Sequence, residues 1–228
     1  MINWMYKMMI KMTDRAVLEN ERLFLSLIQE RPQAKLLDIG CANAEFSLKI
    51  SQALKTGVCF GIELEQQKAK AAKAQGVEVI VSDANEPFAF RNDSFDAITA
   101  NQIIEHLYDA DNFFKELHRV LKKGGEALIS SPNLCSWHNL FFMLLGMQPP
   151  GMHLVGMQAG NFLKGLKTQG HIRLFSLSAI REIAKLYGFT IEKTIASGYY
   201  PFCGFLARFF SMLDKNHAVF FIIKIRKI

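Results

Sequence analysis

The chain has 228 residues, of which half are hydrophobic and 21% are charged. This composition excludes a disordered chain, and the length allows one full-sized domain or one domain with a small appendage. The formal net charge is +6, but Lys and Arg are scattered, apart from the final KIRKI. The charge therefore does not distinguish among nucleic acid, an anionic membrane surface and an acidic substrate as partners.

Cysteine spacing and hydropathy narrow the class of protein further. The four cysteines lie far apart, at Cys41, Cys59, Cys135 and Cys203, with no CxxC pair and no histidine at ligand spacing. They predict reduced structural thiols in a cytosolic (cytoplasmic) protein and argue against a zinc site, so we expect no bound metal. No stretch is apolar for the roughly 20 residues that a membrane span needs.

The first residues, MINWMYKMMIKM, are rich in methionine and lack the small-residue cleavage site of a signal peptide. Two interpretations stay open: a slightly basic apolar helix against the protein or a bilayer, or a start of translation at an internal methionine such as Met12. Residues 13–31 carry apolar side chains at helical spacing and stop at Pro32. Residues 1–31 are therefore predicted to be an N-terminal helical extension.

Strands and helices then alternate along the chain. The stretches AKLLDI, GVCFGIEL, GVEVIV, FDAITA and EALISS are apolar on both faces, as buried strands are. Among them lie predicted helices over residues 45–54, 66–75 and 110–123, the first with Phe46, Ile50 and Ala53 facing inward. This alternation is typical of an α/β fold, a parallel sheet covered by helices on both sides.

After Pro132 the pattern changes. Residues 133–172 are rich in Met, Gly and aromatic residues without a clear period, which predicts a lid or substrate insertion rather than an ordinary connection. A helix over 176–187, capped by Ser176 or Ser178, precedes the predicted strands FTIEKTIA and AVFFIIKIR. Because no internal repeat or linker interrupts residues 1–228, we expect a single domain that includes this insertion.

The stretch LLDIGCANAEF places very small residues where the first strand passes into a helix. A dinucleotide fingerprint, GxGxxG, would need glycine at positions 40, 42 and 45, whereas the sequence has Gly40, Ala42 and Glu45. A carboxylate at the start of this helix would repel a phosphate, and the lysine of a P-loop is missing. A phosphate ligand is therefore disfavoured.

Acidic residues follow three successive strands. Asp38 lies in the first strand, Glu63 ends the second and Asp83 follows the third. At this edge of an α/β sheet a carboxylate can accept from both hydroxyls of a ribose, and another can accept from an exocyclic amine. A negatively charged cleft at the strand ends of a basic protein suits a nucleoside that is positively charged and has no phosphates. S-adenosyl-L-methionine is such a molecule.

With these motifs the chain resembles the class I S-adenosylmethionine-dependent methyltransferases of the small type, which include ubiquinone-biosynthesis O-methyltransferases and many sugar and natural-product methyltransferases. The resemblance covers residues 36–132, through LLDIGCANAEF, GIEL, SDANEPFAFRNDSFDAI and NQIIEHLYDADNFFKELHRVLKKGGEALISSPN, and resumes weakly at GHIRLFSLSAIREIAKLYGF. It implies a Rossmann-like three-layer αβα sandwich. Its mostly parallel seven-stranded sheet would have an antiparallel last strand and a lid insertion after strand 5.

The resemblance also implies a site for S-adenosyl-L-methionine, and for its product S-adenosyl-L-homocysteine, at the strand ends. Its expected members are Asp38, Gly40, Ala42, Glu63, Leu64, Asp83, Ala84, Asn101 and Gln102. The loop at 40–42 would run under the methionyl group, the acid at 63 would hold the ribose, and residues 83 and 84 would read adenine. Residues 101 and 102 would face the amino-acid portion and the sulfonium. One departure from the family pattern is Ala44, where the third glycine is usual.

Transfer to an oxygen acceptor needs a group that removes a proton. His106, after the fourth strand, and His171, at the end of the insertion, are the candidate catalytic bases, and Glu105 is placed to support His106 or to contact the cofactor. His153, in the insertion, is a weaker candidate, and His118, within the fourth predicted helix, is interpreted as a surface or helix-packing residue.

The acceptor is expected to be a small molecule of apolar or amphiphilic character, such as a lipid, a quinone precursor or a lipid-linked glycan. Aromatic residues and methionines in LCSWHNLFFMLLGM and YYPFCGFLARFF support this expectation and allow peripheral membrane contact. Nucleic acid is disfavoured, because the motif of amino-methylating enzymes is replaced by SPN at 131–133. The stretch SPNLCSWHNLFFMLLGMQP also resembles methionine-biosynthesis accessory proteins of this fold, so a regulatory partner without turnover is the alternative. The oligomeric state stays open.

Overall fold

A computed structural model describes the backbone of residues 2–153, 155–161, 163, 164, 167, 168 and 170–228, and the side chains of this set from residue 11 onward. Residue 1 and residues 154, 162, 165, 166 and 169 of the predicted insertion lie outside the described residues. Among the helices of the described part, none is both long enough and apolar enough to span a bilayer.

Seven strands and seven α-helices make up the described chain, joined by two short 3-10 turns. The strands are β1 (Leu36–Ile39), β2 (Cys59–Glu63), β3 (Glu78–Val81), β4 (Phe95–Asn101), β5 (Leu121–Pro132), β6 (Phe189–Ser197) and β7 (Phe220–Lys227). The helices are α1 (Ile2–Leu25), α2 (Glu45–Leu54), α3 (Gln66–Ala74), α4 (Ala110–Val120), α5 (Trp137–Leu144), α6 (Leu177–Leu186) and α7 (Gly204–Leu213). The 3-10 turns are Ile104–His106 and Lys215–His217.

The strands form one sheet in the order β3-β2-β1-β4-β5-β7-β6. The first five strands run parallel, and β7 runs antiparallel to both β5 and β6. The predicted fold class, a Rossmann-like sheet with an antiparallel last strand, is confirmed. Because the order reverses direction at β1, the carboxyl ends of β1 and β4 flank the crevice in which such sheets bind ligands.

Helices cover both faces of the sheet and bury its apolar side chains. On one face α1, α2 and α3 pack against the strands, with Phe24 and Ile50 among the buried residues. On the other face α4 and α6 contribute Phe113, Leu117 and Ile180 to a second cluster. The continuous apolar runs predicted strands that are buried on both faces. In β1 all four residues are buried, as predicted.

Several element bounds differ from the expectation. Helix α1 ends at Leu25 rather than at residue 31, and α4 ends at Val120 because the chain enters β5 at Leu121. In α2 the fully buried positions are Ser47, Ile50, Ser51 and Leu54, whereas Phe46 and Ala53 are only partly buried. Helices α5 and α7 lie where no helix was predicted. The residues of α5 are apolar nearly all round, whereas those of α7 do follow a helical period, within a stretch rich in aromatic residues.

Asp38 joins three elements beneath the first strand end. Its side chain is buried, and its two carboxylate oxygens accept hydrogen bonds from Ser47 of α2 at 2.5 Å and from Thr99 of β4 at 2.6 Å. Burial raises the pKa of Asp38 to about 6, and the two hydroxyl donors offset only part of that rise. The carboxyl therefore fastens the start of α2 to the centre of the sheet.

Asp38→Asn tests this assignment through the pH dependence of stability. The folded carboxyl holds its proton more tightly than the unfolded one, so the free energy of unfolding falls as the pH rises through the range of about 4 to 6. The fall should reach about 3 kcal/mol, since each pKa unit between the two states is worth about 1.4 kcal/mol. Urea denaturation from pH 3 to pH 7 should show this fall in the wild type relative to Asp38→Asn.

The matched control is Asp96→Asn. Burial raises the pKa of Asp96, but hydrogen bonds from Lys122 and from the Lys35 backbone outweigh burial and leave the pKa below its usual value. The free energy of unfolding of the wild type, relative to that of Asp96→Asn, should therefore rise with pH. Parallel stability profiles for the wild type and Asp38→Asn would contradict the buried-carboxyl assignment.

Candidate functional site

The loop between β1 and α2 has an unusual backbone. Gly40, Ala42 and Ala44 have φ angles of +76°, +47° and +71°, so every second residue is left-handed. A side chain at Gly40 would place its Cβ 2.8 Å from Cδ1 of Ile103, which explains the glycine there. Left-handed alanines cost roughly 1–3 kcal/mol each and persist only where the surroundings hold them in place. The small residues found in the sequence therefore form a tight, strained loop at the crevice.

Glu63 holds this loop against the end of β2. Its Oε2 accepts from the backbone N–H of Ala42 at 2.9 Å, and its Oε1 accepts from the backbone N–H of Glu65 at 2.8 Å. The side chain is buried, with 8% of its surface exposed. Each carboxylate oxygen can accept a further hydrogen bond, so capacity remains for a ligand hydroxyl. The adjoining Leu64 is 64% exposed at the rim.

Asp83 lies beyond the end of β3, next to the predicted adenine side of the crevice. Its Oδ1 accepts from the backbone N–H of Asn85 at 2.9 Å and from the side-chain amide of Asn85 at 2.8 Å. Ala84 beside it is buried. The side-chain oxygen of Asn85 accepts from the backbone N–H of Tyr108 at 2.7 Å. This hydrogen bond holds the turn after β3 to the segment after β4.

Asn101 and Gln102 end β4. The side-chain oxygen of Asn101 is buried and has no hydrogen-bond partner among the described residues. Gln102 has a φ of +56°, and its side-chain amide donates to Oγ of Ser130 at 2.8 Å. Asn20 of α1 donates to the same Oγ at 2.8 Å. The two predicted residues thus differ. Asn101 has a side-chain oxygen without a donor among the described residues, whereas the side chain of Gln102 is hydrogen-bonded to β5.

The donor and acceptor chemistry of this edge fits the adenosyl cofactor. The Asn101 oxygen is a buried acceptor with no donor among the described residues, which is costly unless something donates to it, and the amino group of a methionyl moiety is such a donor. Glu63 and Asp83 add two carboxylates, which favour a cation. The side chain of Asp38 is buried, and each of its oxygens already accepts from one hydroxyl, that of Ser47 or that of Thr99. A direct part of Asp38 in the cofactor site stays a prediction.

The two candidate catalytic histidines come from distant parts of the chain and meet. The ring centroids of His106 and His171 lie 5.0 Å apart, and the ring of His153 stacks on His171 at 4.7 Å. Burial lowers the pKa of His171 to about 4 and also lowers the pKa of His106. Both imidazoles are therefore neutral at pH 7 and offer a ring nitrogen as an acceptor.

Glu105 immediately precedes His106 in the sequence and lies close to both histidines in space. A ligand atom from each of Glu105, His106 and His171 falls within 4.8 Å of the others. The side chain of Glu105 is fully buried, and neither oxygen makes a well-aligned hydrogen bond to a described residue. Burial raises the pKa of Glu105 to about 8, which its own backbone N–H and the nearby Ser131 hydroxyl only partly offset. We call these three residues the Glu–His cluster.

Sequence reasoning missed two features of the site. It ranked His153 low, although His153 stacks on a candidate base. It also gave no role to Asn20, which links α1 to Ser130 across 110 positions of sequence. A single sequence carries no signal for such a pairing, because hydrogen-bond partners far apart in the chain share no spacing rule.

Comparison with known proteins agrees with this geometry. A family model described as a methyltransferase domain matches residues 11–194. A demethylmenaquinone methyltransferase of Listeria welshimeri is 27% identical over 128 residues, which are 51% of this chain and 54% of that protein. A ubiquinone/menaquinone biosynthesis C-methyltransferase of Geotalea daltonii is 30% identical over 140 residues, 56% of this chain and 60% of that protein. The chain thus spans little more than half the length of the curated relatives that it matches.

Solved structures show the same fold over nearly the whole chain. An S-adenosylmethionine-dependent methyltransferase from Thermotoga maritima superposes with a TM-score of 0.62 at 18% identity, covering 94% of this chain and 90% of that one. The likeness at this identity concerns the fold, whereas the family model covers most of the sequence. The chain therefore belongs to the class I S-adenosylmethionine-dependent methyltransferases.

Proposed function

We propose that this protein transfers a methyl group from S-adenosyl-L-methionine to a hydroxyl of a small apolar or amphiphilic acceptor. The observation that carries the proposal is the crevice at the strand ends, where a left-handed loop, Glu63 and an Asn101 oxygen with no donor among the described residues adjoin the end of β4 that leads to the Glu–His cluster. The cofactor supplies an electrophilic methyl group on a sulfonium. The chain must bind it, place an acceptor in line and accept a proton.

The residues of the crevice divide the binding task. Glu63 would accept from the ribose hydroxyls with the capacity left on its two oxygens. Asp83 and the Ala84 backbone would contact the adenine edge, and the Asn101 oxygen would accept from the methionyl amino group. Gly40 and Ala42 keep side chains out of the loop, so that a ligand can lie against the backbone.

The Glu–His cluster is the proposed place of proton removal. Neutral imidazoles of His106 and His171 can accept the proton of an acceptor hydroxyl, and general-base catalysis contributes roughly 10²–10⁴-fold to such reactions. Oxygen is the atom proposed from this cluster. The relative from Geotalea daltonii is named a C-methyltransferase, so carbon is the second candidate atom, and a carbon acid also needs a base.

An apolar cavity supports an amphiphilic acceptor. A cavity of about 370 Å³ lies between α1 and α7, at the edge of the sheet where β6 ends. Its lining is mostly apolar, with Leu18, Tyr199 and Phe202, and also carries charged residues, namely Arg15, Glu19, Arg22 and Arg208. Since β6 runs parallel to β5, this cavity opens at the same edge as the proposed cofactor crevice.

Glu63→Gln tests the cofactor site. The substitution keeps the size of the side chain but removes the charge and one acceptor. Hydrogen bonds to a charged group are worth about 1.5–3 kcal/mol, so the affinity for S-adenosyl-L-homocysteine should fall by roughly 10- to 100-fold. Isothermal calorimetry measures this. The control is Glu65→Gln, since Glu65 is exposed and pairs with Lys68 on the surface. Equal affinities for all three proteins, or binding of NAD instead, would refute the site.

His106→Ala and His171→Ala test the proposed base. Each should lower methyl transfer from labelled cofactor into phenolic and lipid extracts by at least about 100-fold, while cofactor affinity changes little. His118→Ala is the control, because His118 packs against Phe189 on another face of the protein. Analysis of the product distinguishes an O-methyl from a C-methyl group. Cofactor binding without turnover in the wild type would instead favour the accessory-protein alternative.

Two helices present an apolar surface that fits peripheral membrane contact. Leu144 at the end of α5 is 84% exposed, and Phe205, Met212 and Leu213 of α7 are each at least 70% exposed. Tyr199 connects the two helices, since its hydroxyl accepts from Trp137 of α5 at 2.6 Å and its ring stacks on Phe210 of α7 at 5.6 Å. With a net charge of +6, an anionic bilayer is the partner that we propose for this surface.

Vesicle flotation tests the membrane contact. The full chain should float with vesicles rich in phosphatidylglycerol and stay behind with neutral vesicles. Leu144→Asp and Leu213→Asp should each reduce the floated fraction, because a charge on the apolar surface opposes insertion. The control Leu186→Asp alters a leucine of equal exposure, 82%, at the end of α6. Flotation that is absent, or reduced equally by all three substitutions, would contradict a membrane role for α5 and α7.

A further inference from the structure

The Glu–His cluster has the composition and arrangement of a metal site. Its three members offer one carboxylate and two imidazoles, with ligand atoms within 4.8 Å of one another. They come from two segments, the 3-10 turn after β4 and the residues that lead into α6. The backbone N–H groups of Ile172 and Arg173 donate to the carbonyl of Glu105 at 2.8 and 3.3 Å. The main chain therefore holds the two segments together.

Both imidazoles are oriented as metal-ligating histidines usually are. Nδ1 of His106 lies 3.3 Å from the carbonyl of Gly170, and Nδ1 of His171 lies 3.0 Å from the carbonyl of Gly151. A carbonyl can only accept, so it keeps the ring proton on Nδ1. Nε2 of each ring is then left with a free electron pair. Such hydrogen bonds to the second ring nitrogen are what fix the tautomer of a metal ligand.

Glu105 supplies the independent observation. A fully buried carboxyl group with no well-aligned hydrogen bond from the described residues is costly in free energy, since buried polar groups are nearly always paired. To bind a metal this group loses its proton, and buried charges in proteins are paired or coordinate metals. No lysine or arginine forms an ion pair with Glu105 among the described residues. A cation between Glu105 and the two Nε2 atoms would satisfy it.

His153 is excluded as a ligand by its own hydrogen bonds. Its Nδ1 accepts from the backbone N–H of His171 at 2.8 Å, and its Nε2 lies 3.2 Å from the carbonyl of Pro150. Both ring nitrogens are engaged, so His153 braces His171 from behind. The described ligand set is therefore two nitrogens and one carboxylate.

From this geometry we infer that Glu105, His106 and His171 bind a divalent transition-metal ion, of the zinc or manganese class. Imidazole nitrogens suit such ions, whereas magnesium and calcium prefer a set made of oxygens. Three protein ligands leave at least one coordination position open. His106 is only half-buried, so the cluster is not closed off from solvent.

This inference rests on the proposed function and assigns the cluster a more specific part in it. An acceptor hydroxyl at the open position would lose its proton to solvent more readily, since a bound cation lowers the pKa of a coordinated O–H group. The oxygen keeps the electron pair of the broken O–H bond. That pair forms the new O–C bond as the S–C bond of the donor breaks, and no oxidant or reductant is needed.

Metal titration of the tag-free full chain tests the inference without reference to activity. After treatment with a chelator, the protein should bind one Zn²⁺ by calorimetry, and Co²⁺ should develop the intensified visible absorption of a nitrogen-ligated ion. Glu105→Gln, His106→Ala and His171→Ala should each weaken binding at least about tenfold. His118→Ala should bind as the wild type does. Circular dichroism checks that each variant is folded.

The outcomes separate the two proposals. Failure to bind either ion, or binding that all four variants retain equally, would overturn the metal site while leaving methyl transfer open. S-adenosyl-L-homocysteine is titrated into the same samples. If it fails to bind while Zn²⁺ binds and is lost in the three cluster variants, the metal site stands and the proposed function falls. Should Glu105→Gln alone unfold the chain, the two histidine variants decide the question by themselves.

Discussion

The hydrogen bond from the backbone N–H of Ala42 to the Glu63 carboxylate joins the two strand ends on which the proposed cofactor site depends. The left-handed conformation of Ala42 costs roughly 1–3 kcal/mol, and a hydrogen bond to a charged acceptor is worth about 1.5–3 kcal/mol, so the two nearly offset each other. This hydrogen bond therefore offsets the strain at Ala42, while the left-handed Ala44 in the same loop carries a similar cost of its own. Glu63 thus has two tasks, since it stabilises the loop and keeps acceptor capacity toward the crevice.

Two buried carboxyl groups illustrate how differently the same chemistry is used. Asp38 has two hydroxyl donors, Ser47 and Thr99, and it links α2 and β4 to the strand that carries it. Glu105 is buried as deeply, and neither of its oxygens accepts a well-aligned hydrogen bond from the described residues. The first arrangement is complete within the protein and is structural. The second is incomplete within the described residues, which is why it indicates a ligand.

The histidines on the acceptor side depend on the insertion as much as on the sheet. His171 reaches the end of β4 because Ile172 and Arg173 pair with the Glu105 carbonyl, and Gly151 and Gly170 supply the carbonyls that orient the two rings. The cofactor crevice, by contrast, is built from strand ends and short loops. Changes in the insertion can therefore alter the acceptor side without disturbing the crevice, as is common where loops carry specificity on a fixed scaffold.

Much of the fold and part of the candidate site could be predicted from the sequence. The runs that are apolar on both faces, the alternating helices and the small residues after Asp38 have local causes, namely burial on two faces and the space that a ligand needs. Helix α5 was missed because an apolar helix without a polar face has little period to detect. Helix α7 has such a period but lies in an aromatic stretch that was read as a connection. Likewise Ala44 gave no local sign that it takes a left-handed φ of +71°.

The sequence by itself determined the class of sheet, the family and the acidic residues at the strand ends, because strand burial and tight turns leave local patterns. Only the tertiary structure decided what those residues face: Asp38 is hydrogen-bonded to α2 and β4, the Asn101 oxygen has no donor among the described residues, and Glu105 meets His106 and His171. Such contacts join residues tens of positions apart. Spacing along a chain cannot encode them, since their distances follow from how the sheet order and the insertion bring separate segments to one edge.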